Sequence, residues 1–247
     1  MDLDGRTIEV SNEEKVFFPD EGITKGEIID YYRRIADLVL PFLDDRPLVL
    51  RRFPDGITDS GFFQKDTPDH FPDWIETTSL DKEEGGTVTH VVATGAATLV
   101  YVANQGAIEL HTLLARADSP HQPDQLILDL DPFTDDVSDV IAATRTVREV
   151  LQEMGVRSFV KSTGSRGVHV LIRLDAKAGF DDARALARDL ADTIAAQQPD
   201  RLTTAVSKRA RGDRVFVDWL RNSYGQHAVA PYSVRALPGA PVAVPLD

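Results

Sequence analysis

The segment Leu126-Ile127-Leu128-Asp129-Leu130-Asp131-Pro132 closes an apolar run with two carboxylates two positions apart. Side chains alternate along a strand, so Asp129 and Asp131 share a face and Leu130 takes the other. Like charges that close repel, and a divalent cation with a taste for hard oxygen ligands removes the repulsion. A strand end dipping into solvent explains a bare D-x-D equally well. Val215-Phe216-Val217-Asp218-Trp219 sets a third carboxylate inside another apolar run. An Asp there is costly unless it is paired, hydrogen-bonded or on a metal, although an exposed edge strand also accommodates it. Three Asp from two strands of one lobe could converge on two metal ions, the arrangement that drives in-line phosphoryl and nucleotidyl transfer.

Between these strands runs Lys161-Ser162-Thr163-Gly164-Ser165-Arg166-Gly167-Val168-His169. Its glycines and hydroxyls fit a turn whose backbone N–H groups can cradle an anion, with Lys161 and Arg166 adding charge. It lacks the spacing of a phosphate-binding loop that opens a helix, and a plain polar hairpin is the bland alternative. Bases gather at Lys208-Arg209-Ala210-Arg211-Gly212-Asp213-Arg214, at Arg221 and at Arg235. They pair with aromatic rings in Arg51-Arg52-Phe53 and Phe62-Phe63-Gln64-Lys65. Bases beside rings suit phosphate contact combined with base stacking, and each cluster alone also reads as a solvated face.

The elements that must position these residues follow from periodicity. Thr24-Lys25-Gly26-Glu27 is a capping box opening a helix that runs toward Pro41. Strands are expected at 47–53, 87–93 and 107–111, and a helix at 96–104. The second half predicts a strand at 125–131, a helix at 137–154, strands at 157–161 and 168–174, a helix at 182–197, and strands at 215–219 and 228–234. From residue 125 the order is β-α-β-β-α-β, the ferredoxin-like arrangement. A soft lobe boundary is expected near 115–124.

The chain has 247 residues, 40 of them acidic and 27 basic, giving a net charge of −13 with only 7 Lys. So acidic a surface repels polyanions globally, and nucleic acid would have to meet a local basic patch. Cys is absent, which excludes disulfides, thiolate metal sites and a cysteine nucleophile. The Met1-Asp2-Leu3-Asp4 start shows no signal-peptide pattern, and no apolar run approaches the roughly 18 residues of a membrane span.

Taken together the motifs resemble a known family, the polymerase domain of bacterial ligase D, within the archaeo-eukaryotic primase superfamily. The resemblance is carried by Phe18-Pro19 with Gly22-Ile23-Thr24-Lys25-Gly26, Arg51-Arg52-Phe53-Pro54-Asp55-Gly56, Gly61-Phe62-Phe63-Gln64-Lys65, Ala103-Asn104-Gln105-Gly106-Ala107-Ile108-Glu109-Leu110-His111, Asp129-Leu130-Asp131-Pro132 and Val229-Ala230-Pro231-Tyr232-Ser233-Val234-Arg235. It implies an α+β fold with an archaeo-eukaryotic primase-like catalytic core: an N-terminal α/β lobe packed on a ferredoxin- or RRM-like β-α-β-β-α-β lobe, one catalytic domain over 1–247. It further implies that Asp129, Asp131 and Asp218 are catalytic ligands of two divalent ions, Mn²⁺ or Mg²⁺. Thr163, Arg166 and His169 match the triphosphate-holding segment, with Thr where Ser is usual and Arg where Lys is common. His111, Arg211, Arg221 and Arg235 match positions around the incoming nucleotide. Lys15 and Lys25 match a pocket for a downstream 5′-phosphate, two charges with no structural partner evident in the sequence. Phe62 and Phe63 match stacking rings, and Arg52 and Lys65 nearby basic contacts. The implied activity is ribonucleotide-preferring primer extension and gap filling in double-strand break repair by end joining. The implied partners are gapped, overhanging or 5′-phosphorylated DNA, NTP or dNTP, Ku and a DNA ligase, with no membrane, in a cytoplasmic, nucleoid-associated setting. A D-x-D phosphatase is the rival chemistry, although Phe133 stands where Thr or Val is expected after the second Asp. A non-catalytic DNA-end-binding module is the rival without chemistry.

Overall fold

A computed structural model of the chain describes residues 1–134 and 136–246. Asp135 and Asp247, the last residue of the expected 1–247 domain, lie outside it. The chain forms two compact units, Met1–Leu113 with His227–Ala243, and Leu114–Gln226 with Val244–Asp247. The path therefore leaves the first unit at Leu113 and returns to it at His227.

The first unit holds an antiparallel sheet in the order His227–Val229, Ala107–Leu113, Leu48–Arg52, Phe62–Gln64. Hairpins Asp2–Leu3/Arg6–Thr7, Val16–Phe18/Ile23–Thr24 and Thr77–Asp81/Thr87–Val91 surround it. The capping box forms: the Glu27 amide donates to the Thr24 hydroxyl at 3.3 Å, and the Thr24 amide to the Glu27 carboxylate at 2.8 Å. The helix expected to run unbroken toward Pro41 is two helices, Lys25–Arg34 and Ala36–Leu43, with the break at Ile35. Pro41 sits inside the second, sixth of its eight residues; there it forfeits one backbone bond two residues before the helix ends. Helix Ala96–Asn104 forms as expected. Tyr32, Phe17, Phe18, Leu50, Leu99 and Ile108 pack the core. The fully buried Tyr32 hydroxyl donates to Ile108 O and accepts from Val234 N, so it ties the first helix to the returning segment.

The second unit is a six-stranded sheet in the order Leu202–Thr203, Val215–Asp218, Gln125–Asp131, Val168–Arg173, Ser158–Ser162, Pro245–Leu246. Counting only the expected core strands, the fourth lies beside the first, then the third, then the second, as a ferredoxin-like fold requires. Helices Val137–Glu153 and Phe180–Gln197 carry Val140, Val147, Leu151, Ala187, Leu190 and Ile194 onto one sheet face. That face supplies Leu126, Leu128, Leu130, Val168, Val170, Ile172, Val215 and Val217. Asp129, Asp131, His169 and Asp218 alternate with these residues and therefore occupy the helix-free face. The strand expected at 228–234 is only His227–Val229 long; beyond it a single bridge, Val234 to Val242, remains. Helix Lys208–Arg211 and strands Phe62–Gln64, Thr77–Asp81 and Leu202–Thr203 have no counterpart in the periodicity. Among the described residues no helix is long and apolar enough to cross a membrane.

Candidate active site

The sheet register of the second unit lines up four ionisable side chains. Asp129 is opposite Asp218 on one neighbour and opposite His169 on the other, and His169 is opposite Lys161. Register partners share a face, so Asp218, Asp129, His169 and Lys161 form one row across four strands. Asp129 Oδ1 lies 3.5 Å from His169 Nε2, and its Oδ2 lies 3.7 Å from Arg221 Nε. Burial alone would raise the Asp129 pKa, but the charges of His169, Arg221 and Lys161 outweigh it and hold the carboxyl below its ordinary value. Burial first, then the Asp129 charge, push Asp218 the other way, above its ordinary value, although Leu220 N donates to its Oδ1 at 2.7 Å. His169 is buried, and burial followed by the Lys161 charge lowers its pKa. Its Nδ1 is buried with no hydrogen-bond partner among the described residues.

Asp131, half exposed at the strand end, reaches Arg211 Nη1 at 3.5 Å. Arg211 is pinned by bonds to the carbonyls of Ala205 and Val206, and its guanidinium lies 3.6 Å from the Phe216 ring centroid. Asn222 stiffens the Asp129 strand: its side-chain amide accepts from Ile127 N and donates to Ile127 O, at 2.8 and 2.7 Å.

The turn between Ser158–Ser162 and Val168–Arg173 closes over this strand end. The Thr163 hydroxyl donates to Gly167 O and accepts from Ser165 N. Gly164 has φ +67°, and a Cβ on Gly167 would stand 2.8 Å from Leu130 O and 3.6 Å from Asp129 Oδ1. Glycine is thus required where the turn meets the acidic strand. Arg166 is exposed at its tip.

The fit to metal is tested by these groups. The donors are hard carboxylate oxygens on adjacent strands, and the raised pKa of Asp218 reports negative charge that burial leaves poorly compensated. As placed, the three carboxylates do not converge, and among the described residues no three His, Asp or Glu side chains do. Arg221 and His169 engage Asp129, Arg211 engages Asp131, and a backbone amide engages Asp218. By type and register the donor set fits divalent cations; the side chains are turned toward protein cations instead.

In the first unit, Glu109 is fully buried. Its carboxylate meets Arg51 Nη1 at 3.0 Å, His111 Nε2 at 3.0 Å, Arg235 Nε at 3.3 Å and Ala236 N at 3.0 Å. Burial would raise its pKa; the His111 hydrogen bond, the Arg235 charge and the Ala236 amide win and bring it to about 2. His111 Nδ1 lies 3.2 Å from His227 Nδ1, and the Phe63 ring packs edge-on against His111. Phe62 and Phe63 are both about half exposed, yet they are neighbours on one strand and so point to opposite faces. Phe63 stands beside Arg51 and His111, Phe62 beside Arg52. Arg52 donates to Gln105 O and Gln64 Oε1, and Lys65 is exposed.

Lys15 and Lys25 are not partnerless, correcting the expectation. Lys15 Nζ reaches Asp55 Oδ1 at 2.5 Å and Pro54 O at 2.7 Å, and the buried Lys25 Nζ donates to Ser11 O at 2.5 Å. Burial and then the Lys15 charge lower the Lys25 pKa.

Sequence reasoning left Glu109, His227 and Asn222 outside the candidate site and gave Lys161 only an added charge beside the turn. Two of them carried a signal: Glu109 and His111 sit two apart in an apolar run, and Lys161 is two before Thr163, on the face that continues into the turn. The pairing of Asn222 and His227 with distant strands leaves no local trace.

A two-helix, ferredoxin-like sheet with Asp129 and Asp218 paired on its helix-free face is the architecture of a primase-polymerase class of catalytic domain. Residues 24–247 match the family model described as LigD, primase-polymerase domain. Similar proteins include the multifunctional non-homologous end joining protein LigD of Pseudomonas aeruginosa, 34% identical over 242 residues, covering 97% of this chain and 28% of that protein. The LigD DNA repair protein of Mycobacterium tuberculosis is 31% identical over 247 residues, covering 96% and 32%. A solved structure, the polymerase domain from Mycobacterium tuberculosis ligase D in complex with DNA, superposes with a TM-score of 0.91 at 30% identity, covering 98% of this chain and 87% of that one. The chain belongs to the LigD primase-polymerase domain family. It spans about a third of the length of these curated relatives.

Proposed function

We propose that this chain is one catalytic domain performing template-directed nucleotidyl transfer, extending primers and filling gaps at broken DNA ends. The observation that carries this reading is the row Asp218, Asp129, His169, Lys161, in which an acidic pair abuts a basic, glycine-rich turn on one sheet face. The reaction joins a primer 3′-oxygen to the α-phosphorus of a nucleotide and breaks the bond from that phosphorus to the bridging oxygen of pyrophosphate. Asp129, Asp131 and Asp218 would hold two divalent ions, Mn²⁺ or Mg²⁺, which when bound supply Lewis acidity at the hydroxyl and charge neutralisation at the leaving group. Thr163, Arg166, His169 and Lys161 bind the triphosphate, and His169 Nδ1 is a buried polar atom with no hydrogen-bond partner among the described residues. Arg211 and Arg221, in contact with the carboxylates, would neutralise the charge of the triphosphate beside them. In the first unit, His111 and Arg235 bind nucleotide, Lys15 and Lys25 the downstream 5′-phosphate, and Arg52, Lys65, Phe62 and Phe63 the DNA.

The substrate preference for ribonucleotides, partnership with Ku and a DNA ligase, and a cytoplasmic, nucleoid-associated setting belong to the same proposal; its support is kinship with end-joining LigD proteins. The test is primer extension on a gapped duplex with a 5′-phosphate, comparing NTP with dNTP and Mn²⁺ with Mg²⁺. Addition is expected, faster with NTP. Asp129→Ala, Asp131→Ala and Asp218→Ala should each abolish extension while retaining DNA binding. Binding without extension would leave an end-binding module, and phosphate release from simple monoesters would point to a phosphatase.

A further inference from the structure

The helix-free face of the second unit continues past the acidic row. Lys161 is opposite His169 and Phe159 is opposite Leu171, so Phe159 and the row share a face, as does Arg173 two residues beyond Leu171. Phe159 is 41% exposed. Two guanidiniums, of Arg157 and Arg173, lie 5.1 and 5.9 Å from its ring centroid. Both arginines are exposed, and neither has an ion-pair partner among the described residues.

We propose that Phe159, with Arg157 and Arg173, is a stacking platform for a single-stranded segment of the DNA next to the candidate active site. Three observations favour that occupant. An exposed ring and two guanidinium planes offer faces on which any base can stack. Two exposed arginines with no ion-pair partner among the described residues, on a chain of net charge −13, match the flanking phosphates and nothing hydrophobic. Spacing also fits. Phe159 lies two strands over and one same-face step along from Asp129, about 12 Å at ordinary sheet spacings, or three to four stacked nucleotides at about 3.4 Å each. The sheet topology, two helices behind and an aromatic on the open face, is the one with which RRM domains hold single strands.

The proposal rests on the polymerase reading, and its test separates the two. Affinity is measured by fluorescence anisotropy for a gapped duplex with a long single-stranded template, for a blunt duplex, and for single-stranded DNA, across a salt series; extension of a one-nucleotide gap is measured in parallel. Phe159→Ala should weaken binding of the single-stranded substrates by about 5- to 150-fold with an unchanged salt slope, leave the blunt duplex alone, and still fill the short gap. Phe159→Trp should restore affinity. Arg157→Ala with Arg173→Ala should flatten the single-strand slope by about 1.4, two contacts at about 0.7 each. Wild-type affinity in Phe159→Ala overturns the platform and leaves the polymerase reading standing. So does an equal loss on blunt duplex, which marks a merely structural ring. A wild-type chain that neither extends a primer nor binds single strands overturns both.

Discussion

Glu109 shows how much a single buried charge can organise. It brings Arg51, His111 and Arg235 to one point, and the pKa of about 2 against an ordinary 4.5 measures how strongly they favour its ionised form. A depressed folded pKa contributes stability above the unfolded value and loses it as pH falls through the folded one. The gap of about 2.5 units corresponds to about 3 kcal/mol, present above pH 4.5 and lost toward pH 2. Glu109→Gln should therefore lower stability by about that amount at neutral pH and flatten the acid limb, as read from urea midpoints between pH 3 and 7. Lys25 runs in the opposite sense. Burial and Lys15 depress its pKa, so its charge, and with it any preference for a 5′-phosphate, should fade as pH rises through that depressed value. The double variant Lys15→Ala with Lys25→Ala should bind gapped DNA equally with or without the phosphate; a retained preference in a binding titration would remove both lysines from the pocket. At this scale the residue types were legible in the sequence, since Asp129, Asp131 and Asp218 announced themselves as acids in apolar runs. Their engagement was not, because Arg211 and Arg221 reach them through folding over long separations.

Elements were most legible where periodicity is strong. Helix Ala96–Asn104 and strand Gln125–Asp131 match the expectation residue for residue. Failures came where backbone geometry outweighs pattern. The break at Ile35 carries no punctuating residue, Pro41 suggested a stop that the helix ignores, and Phe62–Gln64 is too short to show alternation. The last mattered most, because two adjacent rings that read as one stacking pair stand on opposite faces. Replacing each ring singly should lower DNA affinity independently, with the two losses adding to within about 0.5 kcal/mol in a double-variant cycle. At the 163–167 turn, Gly167→Ala forces a Cβ to 2.8 Å from Leu130 O. It should cost about 1–3 kcal/mol of stability in urea unfolding, and the displaced turn should cost activity as well.

For the molecule as a whole the sign of the charge decides how DNA can be approached. At −13, most of the surface repels a duplex, and only the bases gathered at a few places engage phosphates. Four to six contacts imply a log–log salt slope of roughly −4 to −5, a loss of several hundred-fold between about 50 and 200 mM salt. Anisotropy titrations across that range check it; a slope near zero would mean that stacking alone holds the DNA.

The return of His227–Ala243 to the first unit has a consequence for how the protein is made. Strand His227–Val229 supplies the final partner of Ala107–Leu113, and Val234 supplies the amide that the buried Tyr32 hydroxyl accepts from. At about 5–20 residues per second, a ribosome needs on the order of 6 to 26 seconds to travel from Leu113 to Ala243. Through that interval the first 113 residues have an unpaired strand edge and an incomplete core, while most of the second unit is emerging. The later-made half therefore has the means to fold first, and the earlier-made half must wait, exposed, for a segment synthesised after it.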